Sequence, residues 1–478
     1  MTETANERTW ELAEALRTAL SALAGQSVDF CVLRNYEELP EYTTHDVDVL
    51  VDDSQLSQAA ETIKRACGRC NWRLAAEVRT ASSHSLYMYY DSSENVQYLS
   101  FDLVTDLQWG WASTIDVQYV LATKGAFRGI PVASKGCDAA MRLTKALLRG
   151  LDIKDSAREV ITQGALADGN AFMKAIRGFL NHKLTDTLLG YAQAGDFREL
   201  RNLRKRTCMS VLWRFHARRP ITSFHAMLKY LIHRIRMFSR GPLGVCAVLL
   251  GPDGAGKTTL TDRLVRRAGT LFFRGFRIYH HEFHVLPRLK DLIRPWTLFL
   301  PKRKRNANEH SNQATRPCGF MRSLLHLGYY AIDYSIGRLI LRHLQGHSKL
   351  VLFDRYYYDY YFQPGHKNTP HWLVDIFRIF APKPDVVLLL QADPEKIHAR
   401  KPELTIEEIA RQLKVAQAIS DKLGANIPMI TIKTDLSTVA SERQASVAIL
   451  HVLSRKNYRR DMKVAPMNCI QTAGEFER

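Results

Sequence analysis

The ~18 uninterrupted apolar residues that a membrane-spanning helix needs are found nowhere in this chain, so no membrane span is expected. The opening stretch "MTETANERTWELAEALRTAL" lacks the basic n-region and apolar core of a secretory signal, and a cytoplasmic setting is therefore expected. Cysteine is sparse. Eight are scattered along 478 residues, and the one close pair, Cys67-x-x-Cys70, has no second pair at zinc-site spacing. Reduced structural or surface thiols are the expectation. Internal repeats are also missing. Acidic residues are in deficit: 48 Asp and Glu stand against 67 Lys and Arg, a net charge of +19. Such a chain attracts anions, among them nucleotides, nucleic acid, phosphorylated glycans and acidic lipid.

What is present argues for folded domains. Hydrophobic residues make up 46% of the chain, and the length suggests two or three domains. The most informative stretch is "GPDGAGKTTL" at 251–260, which fits G-x-x-x-x-G-K-[ST]. Before it runs "VCAVLL" (245–250), suited to a buried parallel strand, and after it comes helical sequence. Gly251, Gly254 and Gly256 allow a tight turn that brings backbone N–H groups, including that of Ala255, against phosphate oxygens. Lys257 would reach the β- and γ-phosphates of ATP. The Thr258 hydroxyl would sit on Mg²⁺, with Thr259 beside it at the start of the helix.

The rest of the chain divides by pattern. Residues 8–24 place Trp10, Leu12, Ala13, Leu16, Leu20 and Leu23 near helical spacing. "VDFCVLRN" and "DVDVLVD" read as strands, as do "SHSLYMYYD" and "VQYLSFDLVTDLQW". Residues 1–130 are thus expected as an α/β domain and 131–240 as a helical, basic connector. Residues 241–455 follow as the phosphate-binding domain, and 456–478 as a loose tail. Between Arg201 and Arg240 lie eleven bases (Arg201, Arg204, Lys205, Arg206, Arg214, Arg218, Arg219, Lys229, Arg234, Arg236, Arg240) and no acid. "SFHAMLKYLIHRIRMFSR" interleaves them with apolar residues at helical spacing. Two readings stand: a basic amphipathic helix on an anionic membrane surface, or a helix burying its stripe against the phosphate-binding domain. Gly241-Pro242-Leu243-Gly244 marks the entry to that domain. Downstream, "KLVLFD" (349–354), "DVVLLL" (385–390) and "MITIKT" (429–434) alternate with helical sequence, the pattern of a parallel sheet wrapped by helices.

The strand ending at Asp354 continues as "DRYYYDYYFQP", which puts Asp354 and Arg355 at the carboxyl edge of the sheet beside the loop. Asp354 could hold Mg²⁺ or its waters, and Arg355 could grip an anionic acceptor. Over roughly 243–455 the sequence resembles the thymidylate kinases and related nucleoside-monophosphate kinases. The resemblance rests on "GPDGAGKTT", "VLFDRYYYDYYFQP", "LLLQADPEKIHARK" and, as a lid, "PELTIEEIARQ". It implies a P-loop kinase fold and ATP with Mg²⁺ as cofactors. Lys257 and Thr258 match the ATP and Mg²⁺ positions, and Asp253 matches the loop acid that faces the acceptor's sugar. Arg355 matches the acceptor-phosphate arginine, and Arg400 with Lys401 the basic lid. Lid cations suit phosphoryl transfer, which needs positive charge over the moving γ-phosphoryl.

The departures are equally specific. That family carries Arg-Glu-Pro-Gly-Gly after its second strand; here the chain reads "IYHHEFHVLPRLKDLIRPWTLFLPKRKRN". His280, His281 and His284 near Glu282 could touch an acceptor or a metal, although the spacing is not that of a zinc site. The basic insert from Leu286 to Arg305 suits lipid headgroups, an anionic glycan or nucleic acid, the last being disfavoured as a partner. The aromatic run Tyr356–Phe362 suits either stacking on a ring or packing.

The front segment "FCVLRNYEELPEYTTHDVDVLV" resembles the nucleotidyltransferase superfamily. That resemblance implies metal ligands at Asp46 and Asp48, which alternate on a strand, and a third at Asp102. Where the superfamily has Gly-Ser, this chain has Arg34-Asn35, which leaves a non-catalytic, ligand- or partner-binding domain open. The two fused halves resemble proteins associated with surface-polysaccharide assembly. The expected function is ATP-dependent phosphoryl transfer to an anionic small-molecule or glycan-linked acceptor, with Lys257, Asp354, Arg355 and Arg400 in the catalytic roles. The alternatives are a regulatory module that senses ATP without turning it over, and a front half that is the working enzyme. Peripheral contact with an anionic membrane or glycan-assembly machinery, and homo-oligomer formation, are left open.

Overall fold

The computed structural model describes residues 9–43, 45–80, 82–92, 95–218, 220–239, 243–268, 273–287, 320–362, 369–424, 427–435 and 437–464. The basic insert from residue 288 on, residues 241–242 and the tail from 465 lie outside them. The chain forms two compact units, one ending at Arg236 and the other beginning at Met237; residues 91–96 group with the second.

The first unit begins with α1 (Trp10–Gly25), β1 (Phe30–Val32), β2 (Val47–Val51), α2 (Leu56–Arg69), β3 (Arg73–Arg79), β4 (Ser83–Asp91) and β5 (Val96–Val104). It continues with β6 (Leu107–Trp109), β7 (Ala112–Ile115), α3 (Val117–Ala122), β8 (Gly125–Phe127) and β9 (Ile130–Val132). The Thr9 hydroxyl caps α1, whose Leu12, Leu16, Leu20 and Leu23 are buried at the spacing of one helical face. Trp10, placed on that stripe by sequence, is instead exposed. A seven-stranded mixed sheet runs in the order β3-β4-β5-β2-β1-β9-β8. β2 and β5 are parallel and put Asp48 directly beside Asp102.

Seven helices follow: α4 (Lys135–Arg149), α5 (Asp155–Ala167), α6 (Gly169–Arg177), α7 (His182–Ala194), α8 (Phe197–Asn202), α9 (Arg204–Arg218) and α10 (Pro220–Ser239). They were expected as a separate connector, but Leu143, Ile161, Phe172, Leu188 and Leu200 share one core with Cys31, Leu33 and Leu50 of the sheet region. The physical reason is that the sheet presents two apolar faces, and one of them is covered by these helices.

The second unit holds β10 (Val245–Leu250), α11 (Lys257–Ala268), β11 (Phe276–Tyr279), α12 (Phe320–Gly346), β12 (Leu350–Asp354) and α13 (His371–Phe377). It ends with β13 (Val386–Gln391), α14 (Pro394–Arg400), α15 (Ile406–Leu423), β14 (Met429–Lys433) and α16 (Thr438–Val464). Its five strands are all parallel, in the order β11-β12-β10-β13-β14. Cys246, Val248 and Leu250 join one apolar cluster, while Ala247 and Leu249 on the opposite face are equally buried. Both faces of β10 are therefore covered, which is why its sequence is apolar without alternation. The tail, set at 456 by sequence, begins later: α16 runs on to Val464. Leu453 and Asn457 are buried, and the Lys456 ammonium donates to the Gly244 carbonyl (2.8 Å) and to Asp385 (3.0 Å), which holds this turn to the start of β10.

Candidate active site

β10 is the strand at which the sheet order reverses, with β12 on one side and β13 on the other, and its carboxyl end opens into the glycine loop. Ligands of open parallel sheets bind at such a switch point. Gly254 and Gly256 sit at φ +86° and +93°, a region that L side chains rarely adopt, and the turn depends on them. The first intrahelical bond of α11 runs from the Leu260 amide to the Gly256 carbonyl at 3.0 Å. By helix geometry, the N–H groups of Lys257, Thr258 and Thr259 thus lack acceptors within α11 and face an anion with the positive helix end.

The cleft over the loop measures about 530 Å³, and its walls bring together Asp253, Gly254, Gly256, Lys257, Thr258, Thr259, Asp354, Arg355 and Arg400. Gly251 and Ala255 lie buried beneath. Five cations, Lys257, Arg263, Arg355, Arg400 and Lys401, face two carboxylates, Asp253 and Asp354. This excess of positive charge suits a polyphosphate. Lys257 donates to the carbonyls of Gly251 (2.8 Å) and Pro252 (2.9 Å) and to Asp253 (3.3 Å). Arg355 donates to both oxygens of Asp253 at 2.6 Å. Asp253, expected to face an acceptor sugar, gathers these cations around it, with Lys401 at 3.8 Å. Its burial raises the carboxyl's pKa, but Lys257, Arg355 and Lys401 outweigh that and hold it below the usual carboxylate range. Arg355 itself is held at φ +119°, a conformation that costs a non-glycine residue about 1–3 kcal/mol and aims it from the strand end.

Asp354 lies across from the loop, its Oδ2 accepting from the Thr258 hydroxyl at 3.4 Å. Its Oδ1 is buried and has no hydrogen-bond partner among the described residues. Burial pushes this carboxyl up, against the pull of Lys257, His280, Arg355 and the Thr258 hydroxyl. A hydroxyl and an under-satisfied carboxylate are hard oxygen donors, and they fit Mg²⁺. Arg400 donates to the Thr434 carbonyl at 3.0 Å from the end of α14. The expected lid is short: only residues 401–405 separate α14 from α15, and Ile409 and Gln412 of the "PELTIEEIARQ" stretch are buried.

Beneath the site, Asp359 is fully buried in the 3-10 turn Tyr357–Tyr361. Burial pushes it up to about 7; Lys257 and Arg355 pull it down, while Asp253 and Asp354 push it further up. The folded state thus holds this proton more tightly than the unfolded chain does. Stability therefore falls as pH rises from about 4 to about 7, and the loss is complete above that. Asp359→Asn should flatten this slope and raise the urea midpoint above pH 7, as read from denaturation at a series of pH values. The aromatic run 356–362 is core: all six aromatic side chains are buried, with the Tyr357 hydroxyl on the Val374 carbonyl (2.6 Å) and that of Tyr361 on Asp375 (2.7 Å).

The "HHEFH" loop after β11 forms the neighbouring wall. Asp333 of α12 accepts from the amides of Phe283 (2.8 Å), Val285 (2.8 Å) and Leu286 (3.2 Å). Gly337 lets α12 approach closely, since a Cβ there would lie 2.0 Å from the Phe283 ring. His280 stands 3.6 Å from Asp354, and His284 stands 3.6 Å from Glu282. Sequence reasoning missed Asp333, Arg263, Thr434, Thr438 and Ser441. Of the last three, Thr434 was signalled only by following the carboxyl end of β14, and Thr438 and Ser441 only by opening the helix after it.

In the front unit, the expected metal ligands Asp48, Asp102 and Asp46 each have a side-chain partner. Among the described residues no three His, Cys, Asp or Glu side chains are arranged to hold a metal ion. The Arg34 guanidinium forks onto Asp48 (Nε 2.5 Å, Nη2 3.0 Å). Ser85 donates to Asp102 and Ser100 to Asp46. Burial, then the neighbouring Asp46 and Asp48, raise the Asp102 carboxyl despite its bond from Ser85. Lys145 of α4 is pushed down to about 8 by burial and by the nearby Arg34 and Arg149. Arg34→Ala would strand the buried Asp48 and should cost about 1–3 kcal/mol. A urea melt of the front unit's signal reads this directly.

No family model matches the chain, and no curated protein matches it. Among solved structures, a deoxyadenosine kinase from M. mycoides with bound dATP is 12% identical, with a TM-score of 0.28. The match covers 43% of this chain and 99% of that one. A thymidylate kinase from Ehrlichia chaffeensis is 16% identical with a TM-score of 0.29, over 44% of this chain and 100% of that one. At these scores the overlaps are likenesses only and carry no weight for the site's chemistry. No described helix is long and apolar enough to cross a membrane.

Proposed function

We propose that the second unit is an ATP-dependent phosphotransferase that moves the γ-phosphoryl of Mg·ATP to an anionic small-molecule or glycan-linked acceptor. The observation that carries this reading is the pairing across the cleft. The Thr258 hydroxyl and Asp354 lie 3.4 Å apart at the mouth of a glycine loop, with one Asp354 oxygen buried and unpartnered among the described residues. Thr258 and Asp354 would hold Mg²⁺, which neutralises developing phosphate charge.

This chain's own groups do the rest. The loop amides and the α11 N-terminus cradle phosphate oxygens. Lys257 exchanges its carbonyl and Asp253 partners for the β/γ-phosphates. Asp253 holds Arg355 in place by its double hydrogen bond, so that the guanidinium meets the acceptor's anionic group in a fixed orientation. Arg400 and Lys401, on the rim, add positive charge over the transferring group. An acceptor other than dTMP is favoured by the His280–Leu286 wall, which is clamped by Asp333 where thymidylate kinases carry Arg-Glu-Pro-Gly-Gly.

For the front unit the proposal is ligand or partner binding, supported by the Arg34 fork on Asp48. The test is product identity from Mg·ATP with and without dTMP, sugars and glycan acceptors. Acceptor-stimulated ADP with no pyrophosphate is expected. Pyrophosphate release that disappears in Asp48→Ala would transfer the chemistry to the front unit, and ATP binding without any turnover would leave a nucleotide sensor.

A further inference from the structure

α10 touches its own unit along one narrow line. Ser223 is buried, Ala226 is half-buried, and the Tyr230 ring lies 6.0 Å from that of Trp111. Away from this line, Ile221, Phe224, Leu228, Leu231, Ile232 and Ile235 are all exposed, Ile221 at 80%. At about 100° per residue they fall within an arc of roughly 100°, one continuous apolar stripe. α9 adds Lys205, Met209 and Trp213 at four-residue spacing, all exposed, Trp213 at 73%. Within the first unit, these side chains have no cover among the described residues. Large contiguous apolar surface left in water marks a place of interaction.

The charge around the stripe says with what. Residues 201–240 carry eleven bases and no acid. A nucleic acid or an anionic glycan would meet the bases but offers no apolar layer to six aliphatic and aromatic side chains. An anionic bilayer offers both: phosphate headgroups for the bases and acyl chains for the stripe. No described helix is long and apolar enough to cross, so the contact is with the surface. We propose that α9 and α10 dock on an anionic phospholipid bilayer, with α10 lying in the headgroup plane and its Ile221–Ile235 stripe facing the acyl chains. The inference rests on α9 and α10 and stands apart from the phosphotransferase reading.

The test is co-sedimentation of the full chain with phosphatidylcholine vesicles and with vesicles containing about one-third phosphatidylglycerol. The chain should pellet with the anionic vesicles only, and less as NaCl rises from ~0.1 to ~0.5 M. Phe224→Ser/Leu231→Ser/Ile235→Ser should weaken binding at least ~10-fold with an unchanged circular dichroism spectrum and unfolding midpoint. Failure to pellet with anionic vesicles, or equal pelleting of the triple variant, overturns the proposal. So does a triple variant that keeps vesicle binding but halves the mass in solution, because a second copy of the chain would then cover the stripe.

Discussion

Lys257→Ala lowers acceptor-dependent ADP release by at least ~10²-fold, the scale on which losing one preorganised group at developing charge is felt. The ammonium is bonded to the loop's own carbonyls, those of Gly251 and Pro252, and it sits within reach of anything the loop amides hold. Asp253 keeps Arg355 as a partner, so the unfolding midpoint should move little. The discriminating readout is the split between steps. Because the loop amides remain, ATP binding should weaken less than turnover falls. Turnover equal to that of the unchanged chain would remove Lys257 from the chemistry.

Asp354→Asn has the next largest effect, and it acts through metal. An amide keeps the shape but offers Mg²⁺ a neutral oxygen, so half-maximal activity should require ~10- to 100-fold more Mg²⁺. Stability should move the other way. Asp354 is a buried carboxylate held above its ordinary range by burial, so the folded state is weakened as this group ionises with rising pH. Replacing it with asparagine removes that cost, and the urea midpoint at neutral pH should be equal or higher. Activity lost together with stability would mean that Asp354 is structural. Activity lost at low Mg²⁺ and recovered at high Mg²⁺, with stability kept, is the signature of a metal-side ligand.

The sequence made β10, β12, β13 and β14 legible because they are short runs rich in apolar residues, with a glycine loop after β10 and an Asp-Arg pair at the end of β12, features that local composition records; β11, mostly exposed and interrupted by Arg277, carries no such signal. Asp333 was illegible for the opposite reason: it lies 50 residues from Phe283, and only the fold brings its carboxylate to that amide. Arg34 was visible as a departure from Gly-Ser, yet nothing in the pattern said that its guanidinium would neutralise Asp48, 14 residues on. Asn35 meanwhile keeps the turn by adopting φ +55°, a left-handed conformation that asparagine tolerates. The aromatic run 356–362 could have faced a ligand or the core, since period and composition are the same for both. Burial decided for the core. The helix past Arg455 escaped notice because charged residues crowd its end and the partners of Lys456, Gly244 and Asp385, are remote in sequence.

The central claim is that phosphate leaves ATP in this cleft and arrives on an acceptor. The most direct measurement follows γ-labelled phosphate from Mg·ATP in the presence of dTMP and of a panel of sugars and glycan acceptors, for the full chain and for Lys257→Ala. The account predicts label on one acceptor class, ADP in equal amount, and neither with the variant. Label that stays on ATP under every condition, or that transfers undiminished with Lys257→Ala, would contradict it.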